Sequence, residues 1–200
     1  AKYTTEDGLP SPQIHWLQET SDGTFWISTR EGLVKFNPHG VRGKFDKANP
    51  ANPELMFQVF QTDESWKGSD FGIITQTDET TLWADSDRGL IKIKIENGVP
   101  AFHKTEITDT TTFLFKDRRK NLWIGVKDKG LWQISPDEKT TRYGIENGLP
   151  AKSDGKTPVN IQAITEDRDG RIWIGGSISG GLCRLVENPS PNAKIIDVCF

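Results

Sequence analysis

Cysteine is almost absent from this chain of 200 residues, which contains only Cys183 and Cys199. Two cysteines are too few for the disulfide framework of a small secreted domain, so the sequence favours a reduced compartment or an exported domain that does not rely on bridges. Histidine is also scarce, and His15, His39 and His103 do not have the spacing of a zinc site. We therefore expect no metal site and no cofactor.

Long apolar runs are missing as well. No stretch approaches the ~20 apolar residues of a membrane helix, and the first ten residues lack the apolar core of a signal peptide. Attachment to a membrane is therefore expected only through segments outside this chain. The net charge is −3 and no basic stripe is present, which argues against a nucleic-acid partner. No long stretch with helical period and caps occurs either.

Tryptophan, glycine and proline are plentiful instead, and four of the seven tryptophans mark an internal repeat. Trp26, Trp83, Trp123 and Trp173 are each followed, after six to eight residues, by a Gly-Leu pair. A leucine or isoleucine lies nine residues before each of them. The tryptophans are 57, 40 and 50 residues apart, which is the period of propeller blades. Apolar residues at such a spacing predict core packing for all four indoles.

The fourth repeat indicates how one unit folds. Residues 161–167 alternate apolar and polar side chains, as a half-buried strand does. The Asp-Gly turn that ends at Gly170 leads to a second strand at 171–175, and a third strand follows at 182–186. One further apolar run follows every unit. Four short strands per unit predict an all-β fold, a β-propeller of four-stranded antiparallel blades.

The repeat also predicts the domain organisation. Residues 1–10 read as the last strand and lead-in of a preceding blade, and the blades follow at 11–61, 62–107, 108–146 and 147–200. Because propellers commonly have more than four blades, we expect a fragment of a larger, seven-bladed type of propeller. Such an array has two open sheet faces, and we expect it either to associate through them or to be held open within a longer chain. Residues 37–53 contain three Asn-Pro pairs, which predict a long exposed loop.

Several motifs resemble the two-component-regulator propeller repeat. The sequence ENGLP at 146–150 is followed by an apolar strand, by EDRDGRIWIGG at 166–176 and by Gly-Leu at 181–182. The first repeat carries EDGLP at 6–10 and a comparable Asp-Gly turn. The second and third repeats depart from the pattern, because DETT at 78–81 and DRRK at 117–120 replace that turn.

This resemblance implies a function that composition alone does not indicate. Propellers of the family are periplasmic, extracytoplasmic parts of bacterial inner-membrane receptors for signal transduction, and many are linked to sensing products of polysaccharide breakdown. A membrane helix and a kinase or other output module are expected outside the chain. The resemblance also implies a homodimer in the full receptor.

No catalytic constellation is recognisable in the sequence. The glycine cluster at 175–181 is followed by a strand, whereas a phosphate-binding loop needs a helix. Ser177 and Ser179 are out of register for a nucleophile elbow, and no repeat places the paired carboxylates that a glycoside hydrolase needs. We therefore expect a binding protein and not an enzyme.

Binding residues are expected in the loops at one end of the blades, because variable loops on a rigid scaffold are where such residues tend to lie. Two loop sets meet there, one between the second and third strands of each blade and one, including 9–13 and 154–160, that leads into the first strand. The candidate ligand-binding residues are Arg30, Glu31, Asp87, Arg88, Lys127, Lys129, Asn160 and Ser177. The expected ligand is an oligosaccharide or another small molecule. The alternatives are a structural or dimerisation propeller without a ligand and, less favoured, a propeller lyase or glycoside hydrolase.

Overall fold

The computed structural model describes residues 2–60, 71–177, 180–186 and 194–200. These residues form sixteen strands in four antiparallel sheets of four strands each, together with two single-turn 3₁₀ helices. The prediction of an all-β propeller fold with four-stranded blades is confirmed. The chain divides into two compact units, Ala1–Thr108 and Asp109–Phe200, here called unit 1 and unit 2.

Unit 1 contains sheets 1 and 2, each with its strands in chain order. Sheet 1 comprises β1 (Ile14–Glu19), β2 (Phe25–Thr29), β3 (Gly32–Phe36) and β4 (Phe57–Phe60). Sheet 2 comprises β5 (Phe71–Asp78), β6 (Thr81–Ser86), β7 (Ile91–Glu96) and β8 (Val99–Lys104). Trp26 and Leu33 of sheet 1 pack in one buried cluster with Ile74, Leu82 and Ile91 of sheet 2. Burial of these side chains stabilises the stacking of the two sheets.

Unit 2 repeats the arrangement in sheets 3 and 4. Sheet 3 comprises β9 (Thr111–Lys116), β10 (Leu122–Val126), β11 (Gly130–Ile134) and β12 (Thr140–Tyr143). Sheet 4 comprises β13 (Ile161–Glu166), β14 (Ile172–Gly176), β15 (Leu182–Leu185) and β16 (Ile196–Cys199). Trp123 and Leu131 of sheet 3 pack against Ile164 and Ile174 of sheet 4. Three of the four repeat tryptophans are buried as predicted, whereas Trp173 is only half-buried.

In sheets 3 and 4, an acid of the preceding turn fixes the repeat tryptophan. Trp123 Nε1 donates to Asp117 Oδ2 and Trp173 Nε1 donates to Asp167 Oδ2, each at 2.8 Å. Asp167 Oδ1 also accepts the backbone N–H groups that close its own turn. The hydrogen bond from the Trp173 indole holds the pKa of Asp167 below its usual range. In these two repeats the acid six residues before the tryptophan therefore joins the hairpin turn to the core. In the second repeat the same position is Thr77, whose Oγ1 accepts the Trp83 indole N–H at 3.0 Å.

The Gly-Leu pair is explained by a close approach of the fourth strand. Gly130 has φ +93°, and a Cβ there would lie 2.4 Å from the carbonyl oxygen of Tyr143. Gly89 and Gly181 face the same kind of contact, at 2.2 Å and 2.3 Å. A side chain at any of these positions would collide with backbone, so the motif requires glycine.

A side chain from the second sheet of each unit binds the turn of the first. Glu166 Oε2 accepts the N–H of Arg118 at 2.9 Å in unit 2. Gln76 Oε1 accepts the N–H of Ser21 at 2.8 Å in unit 1. Glu166 and Gln76 both lie seven residues before a repeat tryptophan. The contact therefore recurs with the repeat and fixes neighbouring blades to each other.

The predicted strand in residues 1–10 is wrong, since residues 2–10 contain no strand and Thr5–Asp7 form a 3₁₀ helix. Thr4 Oγ1 accepts the N–H of Glu6, and Asp7 accepts the N–H of Thr4, so local capping competes with strand pairing. Tyr3 packs on Phe36 and Phe57 and so covers the outer strands of sheet 1.

The expectation of a chain that does not rely on bridges is also corrected. Cys183 and Cys199 form a disulfide between β15 and β16. The two residues lie directly opposite each other in the strand pair. Sixteen positions separate them in sequence, and the sequence alone did not reveal that they are cross-strand partners.

The long loop of the first repeat is confirmed as a loop, but it is not exposed throughout. Phe45 is partly buried and packs against the buried cluster on the outer strands of sheet 1. Val59 donates its backbone N–H to Pro50 O at 2.7 Å, which holds the loop against β4. The predicted blade boundary between residues 61 and 62 lies outside the described residues.

Candidate functional site

The predicted loop residues of unit 1 lie at the tips of two matching turns. Arg30 and Glu31 are exposed between β2 and β3, and Asp87 and Arg88 are exposed between β6 and β7. Each turn is fixed by a hydroxyl at its base that donates to a glycine carbonyl: Thr29 to Gly32 at 2.9 Å and Ser86 to Gly89 at 2.7 Å. Each turn therefore presents one acidic and one basic side chain on a rigid base.

In unit 2, the turn between β10 and β11 is joined to the segment that enters sheet 4. Lys127 and Lys129 are exposed at its tip, on either side of Asp128. Asn160 Oδ1 accepts the N–H of Asp128 at 2.8 Å, and Asp128 forms an ion pair with Lys152. The structure thus brings Lys127 and Lys129 close to Asn160, which is distant from them in sequence.

Ser177 belongs to the same group through the backbone. Its N–H donates to Asn160 O at 2.9 Å. Four of the eight predicted residues therefore lie in one hydrogen-bonded group at one end of unit 2, here called the loop network. Residues 178 and 179 of the predicted loop lie outside the described part of the chain.

A hairpin at 151–158 completes the loop network. Ala151 and Pro158 pair as a β-bridge, and Lys152 N donates to Thr157 O at 2.7 Å. Asp154 Oδ2 accepts the Thr157 hydroxyl at 2.6 Å, and this bond and two backbone N–H groups lower the pKa of Asp154 to about 2. The hairpin is therefore held by its own hydrogen bonds.

Sequence reasoning identified only part of this network. It missed Lys152 and Arg142, whose Nε donates to Lys129 O at 3.2 Å. A signal was nevertheless present in the spacing of the repeat. Three residues separate Pro10 from Ile14 in the first repeat, whereas ten separate Pro150 from Ile161 in the fourth. That insertion is the hairpin.

A buried acid, Asp85, ends β6 at the base of a unit 1 turn. The equivalent position two residues after the tryptophan is Ser28, Gly125 or Gly175 in the other repeats. Asp85 Oδ1 is buried and has no hydrogen-bond partner among the described residues, and a Cβ on Gly72 would lie 2.4 Å from it. Burial raises the pKa of Asp85 to about 7, against opposing effects of the Ile73 N–H and of His15. The sequence analysis did not single out this residue.

A small polar pocket lies at the opposite end of the strands in unit 2. Its lining includes Asp117, Arg119, Gln133, Glu166 and Arg171. Asp117 is already engaged by the Asn121 amide and the Trp123 indole, and Arg171 by Asp167. These groups therefore serve the turns that hold the two sheets together.

The described residues contain no group of three or more His, Cys, Asp or Glu side chains placed to hold a metal ion. No helix among them is long and apolar enough to cross a membrane.

Comparison with known sequences identifies the repeat. The profile of the family described as two component regulator propeller matches residues 8–31 and 155–177. These segments contain the turns of the first and fourth repeats, where the sequence motifs are clearest. No curated protein matches the chain in sequence.

Solved structures with similar folds include extracellular domains and an enzyme. The extracellular domain of BT4673 from B. thetaiotaomicron has a TM-score of 0.68 at 19% identity, and the match covers 96% of this chain and 22% of that one. The extracellular domain of BT3049, from a hybrid two component system of the same organism, has a TM-score of 0.60 at 14% identity, covering 92% and 23%. Virginiamycin B lyase from Staphylococcus aureus has a TM-score of 0.65 at 17% identity, covering 94% and 56%.

At such identities the likeness shows the fold alone, and this chain spans less than a quarter of the two extracellular domains. The matched repeats and the four blades nevertheless agree with each other. Two segments of this chain, in the first and fourth repeats, match the two-component regulator propeller family, and the fold is that of a β-propeller built from four-stranded sheets.

Proposed function

We propose that this chain is the ligand-sensing propeller of an extracytoplasmic bacterial receptor for signal transduction, and that it binds an oligosaccharide or another small ligand at the loop network of unit 2. The observation that carries the proposal is the loop network itself. It gathers Lys127, Lys129, Asn160 and Ser177 around a hairpin that the first repeat lacks. Such a rigid group of polar side chains on variable loops is typical of a binding site.

The periplasmic location is part of the proposal, and two observations support it. The similar BT4673 and BT3049 structures are extracellular domains. The disulfide between Cys183 and Cys199 is of a kind that persists in oxidising compartments and is rare in the cytosol. In the full receptor, a homodimer would transmit the signal to an output module in other segments.

Binding without catalysis is the favoured chemistry. The loop network contains two acids among the described residues. Asp128 forms an ion pair with Lys152, and Asp154 accepts hydrogen bonds within the hairpin. Neither forms the pair of carboxylates, with one raised pKa, that glycoside hydrolysis requires. A lyase remains the alternative suggested by the fold of virginiamycin B lyase, and an activity assay with oligosaccharides separates it from a sensor.

A thermal-shift screen with oligosaccharides tests the proposal. A ligand that binds the folded state raises the melting temperature by mass action. We expect the shift to shrink in the Lys127→Ala/Asn160→Ala variant and to persist in Lys139→Ala, which removes an exposed lysine from a turn at the other end of sheet 3. If no small ligand raises the melting temperature, the chain is a structural or dimerisation propeller instead.

A further inference from the structure

The charges of the loop network indicate the class of ligand. Lys127, Lys129 and Lys156 are exposed. Among the residues that the structure describes, no carboxylate forms an ion pair with any of the three. Arg142 adds a fourth cation to the loop network, since its Nε donates to Lys129 O. No acid of the described residues forms an ion pair with Arg142.

Most acids at the same end of unit 2 are engaged by other groups, and the exception is Asp109, which precedes Thr110, the residue whose carbonyl accepts the Lys127 N–H. Asp128 pairs with Lys152, and the Asp154 carboxylate is held by Thr157 and by backbone N–H groups. Glu146 folds back over Gly144, since a Cβ on Gly144 would lie 2.3 Å from its carboxylate. Asp109 is exposed and forms no ion pair within the described part of the chain.

The other turns between the second and third strands of a sheet differ from the Lys127–Lys129 turn in charge. Each of the two turns of unit 1 has one acid and one base next to each other in sequence: Arg30 and Glu31 in the first, and Asp87 and Arg88 in the second. The turn at 176–181 contains no charged residue. Only the turn at 126–130 has the sequence Lys-Asp-Lys. Unit 2 as a whole has more lysine and arginine than aspartate and glutamate, whereas unit 1 has fewer.

We propose that the loop network of unit 2 binds an anionic oligosaccharide, whose carboxylate or sulfate groups are held by Lys127, Lys129 and Lys156. This inference rests on the proposed function and adds the class of ligand. Lysine is a suitable partner because its ammonium group is a mobile point charge that meets an anion from several directions. The hydrogen bonds of the turn and hairpin fix the spacing of the three lysines, so less conformational freedom is lost on binding.

The experiment compares a charged sugar with its neutral counterpart. Isothermal titration calorimetry of the whole chain is done with tetragalacturonate, with its carboxyl-reduced form and with a chondroitin sulfate tetrasaccharide. We expect at least one charged sugar to bind at least tenfold more tightly than the reduced form, and this affinity to fall as salt is raised from about 0.05 to 0.5 M, because screening weakens exposed charge pairs.

Matched variants assign the effect to the loop network. Lys127→Ala/Lys129→Ala is expected to lose about tenfold in affinity for the charged sugar, given the usual size of exposed charge interactions. Lys47→Ala/Lys104→Ala removes the same charge from exposed positions of unit 1 and is expected to bind as the unaltered chain does. Equal melting temperatures of the two variants show that both are folded.

The outcomes separate this inference from the proposed function. Binding of the reduced sugar as tight as that of the charged one overturns the anionic class and leaves the sensor proposal standing. The same holds if the charged sugars fail to bind while a neutral sugar raises the melting temperature. Equally tight binding of inorganic polyphosphate overturns recognition of a saccharide. If no small ligand binds at all, the proposed function itself fails.

Discussion

One position of the repeat, three residues before the tryptophan, adopts a left-handed backbone conformation in several sheets. In the hairpin turn between the first two strands, Gly23 and Gly170 have φ +80° and +81°, and Lys120 has φ +65° at the same position of sheet 3. In the sequence, DRRK at 117–120 departs from the Asp-Gly pattern, so the turn signal is weaker there. The structure shows that the turn is kept, with a lysine in a backbone conformation that favours glycine.

Lys120→Gly is therefore expected to stabilise the protein. A left-handed conformation costs a non-glycine residue about 1–2 kcal/mol, and the greater freedom of glycine in the unfolded chain offsets about 0.4–1 kcal/mol of that. A net gain of about 0.5–1 kcal/mol should appear in urea unfolding. Gly170→Ala is the reciprocal variant and should lose a similar amount, because its Cβ would meet nothing closer than 3.5 Å and only backbone strain is added. Destabilisation by Lys120→Gly would contradict this account.

Asp85 gives the protein a defined pH dependence. Burial raises its pKa to about 7 in the folded state, whereas the unfolded value is 3.8. Between these values the folded state keeps a proton that the unfolded state has lost. The free energy of unfolding should therefore fall as pH rises, by up to about 1.4 kcal/mol for each pH unit from this group.

The Asp85→Asn variant should remove that slope. Asparagine has the shape of the protonated acid but does not titrate. Asp137→Asn is the control, because the Lys139 ammonium and Ser135 hydroxyl lower the pKa of Asp137 to about 2 and the group is ionised in both states throughout the window. Chemical unfolding at pH 4.5, 5.5 and 6.5 measures the slopes. Parallel profiles for the unaltered chain and Asp85→Asn would rule out this assignment.

At the scale of the strand and turn, neighbouring blades are fixed by one recurring acceptor. Glu166→Ala removes the partner of the Arg118 N–H and should cost about 0.5–1.5 kcal/mol, the usual net contribution of a hydrogen bond, because the exposed N–H can bind water instead. Glu166→Gln should cost much less, because glutamine performs this task at position 76. Equilibrium unfolding in urea compares the two variants. Equal losses would mean that charge, and not the hydrogen bond, is what Glu166 supplies.

The last strand, β16, depends on the disulfide. In the chain-entropy account, closing a loop of about this length stabilises a fold by ~3 kcal/mol, and Cys183 and Cys199 are 16 positions apart. Adding a reductant should lower the unfolding midpoint of the unaltered chain by the corresponding amount. The Cys183→Ala/Cys199→Ala variant should unfold at the lower midpoint with or without reductant. If the reductant leaves the unfolding midpoint of the unaltered chain unchanged, as it does that of the double variant, the disulfide is contradicted.

Most strands could be predicted from the sequence, because alternation and turn residues are local signals. The Trp and Gly-Leu spacings identified the four sheets. Three features escaped prediction because they depend on contacts across the chain. Tyr3 packs on sheet 1 instead of forming a strand, Cys183 meets Cys199, and Asn160 binds the turn at Asp128. In the loop network, residue type indicated Lys127 and Lys129, but only the fold shows that they lie beside the hairpin at 151–158.

At the scale of the whole molecule, each unit exposes apolar side chains on one sheet. In sheet 1, Leu17 is 61% exposed and Phe25 is 40% exposed. The positions that match Leu17 in sheets 2 and 4, Ile74 and Ile164, are 1% and 4% exposed because the preceding sheet of the same unit covers them. In sheet 4, Leu182 is 47% exposed and Phe200 is 77% exposed. Clustered apolar surface of this kind promotes association.

The isolated chain of 200 residues is therefore expected to associate in a concentration-dependent manner and to bind a hydrophobic dye. Light scattering across a dilution series measures the association. Leu17→Glu should weaken it, because the new carboxylate would have to be desolvated on contact. Val41→Glu is the matched control, since Val41 is 64% exposed but lies in the long loop and not on the sheet. A monodisperse monomer that binds no dye would show that these faces are stable in water, and equal effects of the two variants would show that association does not use the face of sheet 1.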